Sequence, residues 1–128
     1  MNKWRIYLIC LLGALHLSAF ADKPQRVYLF GVATNLNDST VYLTDVQHLD
    51  SMTLNADGSL PNYVGYSLQL KVYLEGELDE SHQTCAVIYS EKKKKLEKRF
   101  LAVRKKYLNI KGNTLKLIGS DTFQFKKR

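Results

Sequence analysis

The chain has 128 residues, 45% of them hydrophobic and 24% charged, with 19 lysines and arginines against 12 aspartates and glutamates, a formal net charge of +7. A chain of this length and apolar content suits one small globular domain with a core of its own. With only Cys10 and Cys85, it cannot rest on a framework of several disulfides and must rely on an apolar core.

The first segment, MNKWRIYLICLLGALHLSAFADKP, puts Lys3 and Arg5 ahead of an apolar run from Ile6 to Leu17, followed by Ala19-Phe20-Ala21 and a charged Asp22. A basic start, a short apolar stretch and an A-x-A site read as a secretory signal peptide over residues 1–21, cleaved after Ala21. The apolar run falls well short of the roughly 20 residues that a permanent membrane span needs. Ile9 stands before Cys10 where a lipoprotein signal wants a small residue, so lipidation is not expected. The expected compartment is therefore secreted or periplasmic, with residues 22–128 forming a single domain and no transmembrane segment after cleavage. Cys85 is then the only cysteine left. It lies in TCAVIYS and reads as a small buried hydrophobe.

Charge is divided along what remains. Residues 22–90 hold three bases and nine acids, a net of −6, whereas residues 91–128 hold fourteen bases and three acids, a net of +11. Such asymmetry predicts either internal pairing of the halves or a basic face turned to an anionic partner.

In chain order, RVYLFGVAT (Arg26–Thr34) and TVYLTDVQ (Thr40–Gln47) are rich in β-branched and aromatic residues and flank the polar turn NLNDS, which predicts a β-hairpin. The first strand is apolar on both faces and reads as central. Asn37-Asp38-Ser39 in the turn fits a glycosylation sequon. NADGSLP (Asn55–Pro61) is a second turn. Residues 62–75 remain open between two readings. Tyr66, Leu68, Leu70, Val72 and Leu74 alternate as in a strand, while Tyr63, Tyr66, Leu70, Tyr73 and Leu74 share one helical face. Pro61 ahead of the segment and Gly76 behind it favour helix, and Gly65 inside counts against it.

Thr84–Tyr89 reads as a strand. From Ser90, a good N-cap, Leu96, Phe100, Val103 and Tyr107 recur as one apolar stripe of a helix that ends at Lys111-Gly112-Asn113. The alternation of Leu115 with Leu117 and of Phe123 with Phe125 then predicts one or two final strands. The resulting order, β-β-α-β-α-β, predicts an α+β fold: a single two-layer α/β sandwich with helices on one face of a small mixed sheet.

The chemistry-bearing residues concentrate in SEKKKKLEKRF. Lys92, Lys93, Lys94, Lys95, Lys98 and Arg99 are the candidate anion-binding or partner-binding residues. A helix N-terminus is a costly place for cations, by about 0.3–1 kcal/mol each at exposed positions, and its amides suit phosphate, sulfated glycan or lipid headgroups. The alternatives are a solvated face, with Glu91 and Glu97 as local charge partners, or pairing with Glu75, Glu77, Asp79 and Glu80 in the same chain or across a homodimer. Phe100 and Tyr107 belong to the apolar stripe and do not offer bases a stacking platform, so nucleic acid is not the expected partner. No catalytic residue, metal or cofactor is assigned. Asp45, His48 and Asp50 after the second predicted strand, with His82 and Glu97, are the residues a small metal-dependent hydrolase would have to use. Ser51 and Ser67 lie in no nucleophile motif, and there is no Gly-rich phosphate loop.

VYLFGVATNLNDSTVYLTDV, followed by a helix, a strand and a basic helix, resembles in order the GIY-YIG nuclease module. The resemblance implies Tyr28 and Tyr42 as its paired tyrosines and nuclease chemistry as the alternative function. Val41-Tyr42-Leu43-Thr44 departs from the family in lacking the glycine of the second motif, the next helix lacks the catalytic arginine, and only Glu97 offers a metal-binding carboxylate. YLFGVATNLNDSTVYLTDVQHLD together with HQTCAVIYSEKKKKLEKRFLAVRKKY is similar to small uncharacterised exported proteins of Bacteroides-type bacteria, over nearly all of residues 22–128. That resemblance implies export and fold, and no mechanism.

Overall fold

The computed structural model describes residues 23–128, and the signal-peptide expectation for residues 1–21 lies outside the described residues. Five strands and two helices follow in the order β1 (Gln25–Asn35), β2 (Asp38–Thr44), β3 (Gln47–Met52), α1 (Tyr63–Glu77), β4 (Thr84–Ser90), α2 (Lys93–Leu108) and β5 (Thr114–Ile118). The α+β class expected from the sequence is the one observed.

The long strand β1 is the axis of the sheet. Along one side it pairs antiparallel with β4, from Tyr28↔Ser90 to Thr34↔Thr84. Along the other it pairs first with β2 and then with β3, and β5 lies parallel to β2 beyond it. The hairpin between β1 and β2 turns where predicted. Asn35 accepts the amide of Asn37 at 2.8 Å, and Asp38 accepts both the amide and the hydroxyl of Thr40 at 3.0 Å. Local side-chain acceptors of this kind are why Asn and Asp start turns.

β3 departs from the predicted order. In QHLDSM the two buried residues, Leu49 and Met52, are three apart, so the period-2 signal of a strand is absent. The strand exists because β1 is long enough to pair with it after the hairpin has broken at Asp45-Val46. At that break the Gly31 amide donates to the Thr44 hydroxyl at 2.8 Å. Thr44 is fully buried, so its hydroxyl supplies the acceptor that the interrupted ladder lacks. The Asp45 amide turns away and donates to the Ile118 carbonyl at 3.0 Å.

Residues 62–75 resolve as helix α1, with Tyr66, Leu70 and Leu74 fully buried. The second correction concerns its placement, because the helices lie on opposite faces of the sheet and not on one. Val27, Leu29, Ala33, Tyr42 and Val87 pack with α1, whereas Phe30, Val32, Val41 and Leu43 pack with α2 through Leu96. Side chains alternate across a strand, so β1, apolar at successive positions, supplies both faces. Its two-sided apolar run therefore reflects burial under a helix on each side.

Only one strand follows α2. Phe123 and Phe125 are buried on the α1 face, but the backbone that carries them joins no ladder. Two glutamine side chains hold it instead. Gln47 donates to the Phe123 carbonyl at 2.9 Å and accepts the Phe125 amide at 2.8 Å. Gln69 donates to the Lys126 carbonyl at 2.7 Å and accepts the Lys126 amide at 2.8 Å. Each amide side chain thus offers one donor and one acceptor, as a neighbouring strand would. No helix among the described residues is long and apolar enough to cross a membrane.

Candidate functional site

The basic segment follows the β4 edge strand and becomes the outer surface of α2. Ser90 stays in β4, so it does not cap the helix as the sequence predicts; its hydroxyl accepts the Lys92 amide at 3.1 Å outside the helix. Lys92 itself is the N-cap, at φ −103° and ψ 110°, and contributes no side-chain cap. Continuing the strand to Ser90 shifts the helix start by two residues. Glu91 consequently precedes the cap, and Lys93 to Lys95 fill a first turn that contains no acid.

α2 is fastened by its apolar stripe. Leu96 is fully buried, with Phe100, Val103 and Tyr107 packed around the same cluster. Phe30 and Phe100 meet edge to face at 5.3 Å, a geometry aromatic rings prefer. All of Lys92, Lys93, Lys94, Lys95, Lys98 and Arg99 are exposed, as are Arg104, Lys105 and Lys106 further along. Between residues 92 and 111 stand ten bases and one acid, Glu97. Glu97 reaches Lys93 at 4.0 Å, the only ion pair of this helix among the described residues. Leu101 and Leu108 are exposed among these cations, at 58% and 57%. The assembled feature is an outward cationic surface with apolar side chains set in it.

The acidic run does not neutralise it within the chain. Glu75 approaches Lys71 at 3.9 Å, and Glu80 accepts the Tyr42 hydroxyl at 3.0 Å. Glu77 and Asp79 are exposed. This run precedes β4 while the lysines follow it, and a seven-residue strand such as β4 spans roughly 20 Å. α1 and α2 also occupy opposite faces, so intrachain pairing of the two runs does not form.

The residues of the hydrolase alternative are dispersed. Asp45 accepts the Ser120 amide at 3.0 Å beside β5. His48 and Asp50 project from β3, where the Arg26 guanidinium donates to Asp50 at 2.6 Å and His48 lies 3.4 Å away. That hydrogen bond from Arg26 holds the Asp50 carboxyl below its usual range. Among the described residues no group of three or more His, Cys, Asp or Glu side chains is placed to hold a metal ion. Glu97 is on α2, paired with Lys93. Tyr28 faces α2, with its ring 6.2 Å from His48, whereas Tyr42 is buried toward α1, so the two tyrosines do not share a site.

Sequence reasoning passed over a small cleft of about 380 Å³ between β5 and the end of α1, lined by Tyr42, Tyr73, Glu80 and Lys116. Burial, reinforced by the bond to Glu80, pushes the Tyr42 phenol up to about 12. The Lys116 ammonium stands 5.9 Å from the centre of its ring. These residues come from β2, from α1 and the loop that follows it, and from β5, and leave no local motif. Cys85 is free and half-buried, and burial pushes its thiol up to about 11. It is a poor nucleophile at neutral pH.

No family model matches the chain, and no curated protein or solved structure shows significant similarity to it.

Proposed function

We propose that this chain is an exported binding module whose α2 face engages a polyanionic surface, such as anionic lipid headgroups or sulfated glycan. The observation that carries the reading is the uncompensated charge of α2, ten bases to one acid over residues 92–111, all but one of them outside any ion pair among the described residues. A cationic face of this density raises the local concentration of anions and accelerates their encounter. Near an anionic membrane each lysine or arginine contributes about 1 kcal/mol. Leu101 and Leu108, exposed between the cations, add apolar contact that a lipid surface could bury.

The test replaces Lys94, Lys95, Lys98 and Arg99 by glutamine together, leaving the buried stripe untouched. Binding to vesicles of neutral and phosphatidylserine-containing lipid, and to heparin, is then measured at low and high salt. Affinity for at least one polyanion should fall tenfold or more, with the salt dependence reduced. Unchanged binding to both, or no binding by the unaltered protein, removes the reading.

A further inference from the structure

We propose that β4 is a self-recognition edge, through which two copies pair β4 to β4, antiparallel about a two-fold axis at Val87, and join their sheets into one. β4 forms its ladder with β1 alone, so the hydrogen-bonding groups along its outer side are unpaired by any strand among the described residues. Proteins usually guard such an edge with lysine, proline or a bulge. TCAVIYS holds no charge and no proline, and its register with β1 runs unbroken from Thr34↔Thr84 to Tyr28↔Ser90. β5, at the opposite side of the sheet, carries Lys116 in its middle.

Two features of β4 select an antiparallel second copy. The first is shape. Small residues, Thr84, Cys85 and Ala86, occupy one half of the strand, and large ones, Ile88 and Tyr89, the other. A two-fold at Val87 places Ala86 opposite Ile88 of the second copy and Cys85 opposite its Tyr89. The large half borders an open groove of about 650 Å³, lined by Leu60, Tyr63, Val87, Tyr89 and Arg99. Tyr63 and Tyr89 meet there with ring centres 5.8 Å apart. A strand whose facing residues are small fits against that bulk.

The second feature is charge. Glu75, Glu77, Asp79 and Glu80 precede the strand, and Lys92 to Lys95 follow it. Intrachain pairing of these runs does not occur; antiparallel pairing puts the loop with Asp79 and Glu80 of each copy at the same end of the joined sheet as Lys92 of the other, beside the paired strands, whereas Glu75 and Glu77 stay on the α1 face. Complementary ends of this kind orient encounter and fix register. A parallel arrangement would oppose like charges at both ends.

Self-pairing does not depend on the polyanion reading, and the two can fail separately. Sedimentation of the purified protein over a range of concentrations, in about 50 mM and about 500 mM salt, should show a dimer that weakens with salt. Tyr89→Cys should cross-link to the native Cys85 of a second copy on oxidation. Within one chain these positions lie about 13 Å apart along the strand and cannot bridge. The charge reversals Asp79→Lys and Lys92→Glu should each weaken self-association about tenfold or more and associate with one another when mixed. The acidic-side variant keeps every base of α2, so its polyanion binding should persist. A protein that stays monomeric at millimolar concentration, or a dimer that neither cross-links nor responds to either reversal, overturns the proposal.

Discussion

Thr44 shows how one side chain can decide a sheet. Its hydroxyl, fully buried, accepts the Gly31 amide at the point where β2 gives way to β3. Gly31 is closely packed: an added Cβ would lie 2.6 Å from the Leu70 Cδ2 atom and 3.0 Å from Phe125, so a larger residue requires those buried side chains to shift. The backbone amide therefore sits in a tight apolar setting with a single acceptor. Thr44→Val keeps the shape and removes that acceptor, leaving the amide unsatisfied. The expected loss is about 1–3 kcal/mol in chemical denaturation, against little change for Thr40→Val near the hairpin turn. In sequence, Thr44 was legible only as a strand residue. Its role depends on Gly31, thirteen residues earlier.

Of the two helices, α2 was the more legible. The stripe of Leu96, Phe100, Val103 and Tyr107 has one periodicity, and it packs as that periodicity requires. α1 is apolar around much of its circumference, with Val64, Leu68 and Val72 exposed, so helix and strand patterns overlap in it. The buried set, Tyr66, Leu70 and Leu74, is a subset of the helical face that the sequence offered. Leu96 is the one fully buried residue of α2, which makes the mounting of the basic face unusually dependent on it. Leu96→Ala should cost about 2–5 kcal/mol, whereas Leu101→Ala, on the exposed side, should change stability by less than about 0.5 kcal/mol. Thermal melts of both variants check the difference. Equal losses would mean that α2 is not seated through Leu96.

For the whole molecule, the titratable groups most perturbed by burial both act in alkali. The Cys85 thiol rises from 9.0 to about 11 and the Tyr42 phenol from 10.0 to about 12. Each folded pKa lies above its unfolded value, so the native state holds these protons more tightly. Their contribution is complete below the unfolded pKa and is lost as pH rises through the folded one. Stability should therefore decline from about pH 9 toward pH 12. Cys85→Ala should flatten the lower part of that decline and Tyr42→Phe the upper part, read from urea denaturation at stepped pH. An unchanged pH dependence in the double variant would show that neither group is titrating as its environment dictates.

The sequence alone determined what depends on local periodicity and on composition. It determined the β1–β2 hairpin, helix α2 with its inward stripe, the α+β class and the basic charge of the final third. Those follow from φ/ψ preferences, side-chain alternation and charge, which neighbouring residues settle among themselves. Tertiary structure decided the rest. It set α1 and α2 on opposite faces because β1 is apolar at successive positions and both sides needed cover. It made QHLDSM a strand because β1 outlasts β2, and it kept the Phe123–Phe125 segment out of the sheet because Gln47 and Gln69 satisfy its backbone. Above all it separated the acidic and basic runs by the length of β4, so neither can neutralise the other within one chain.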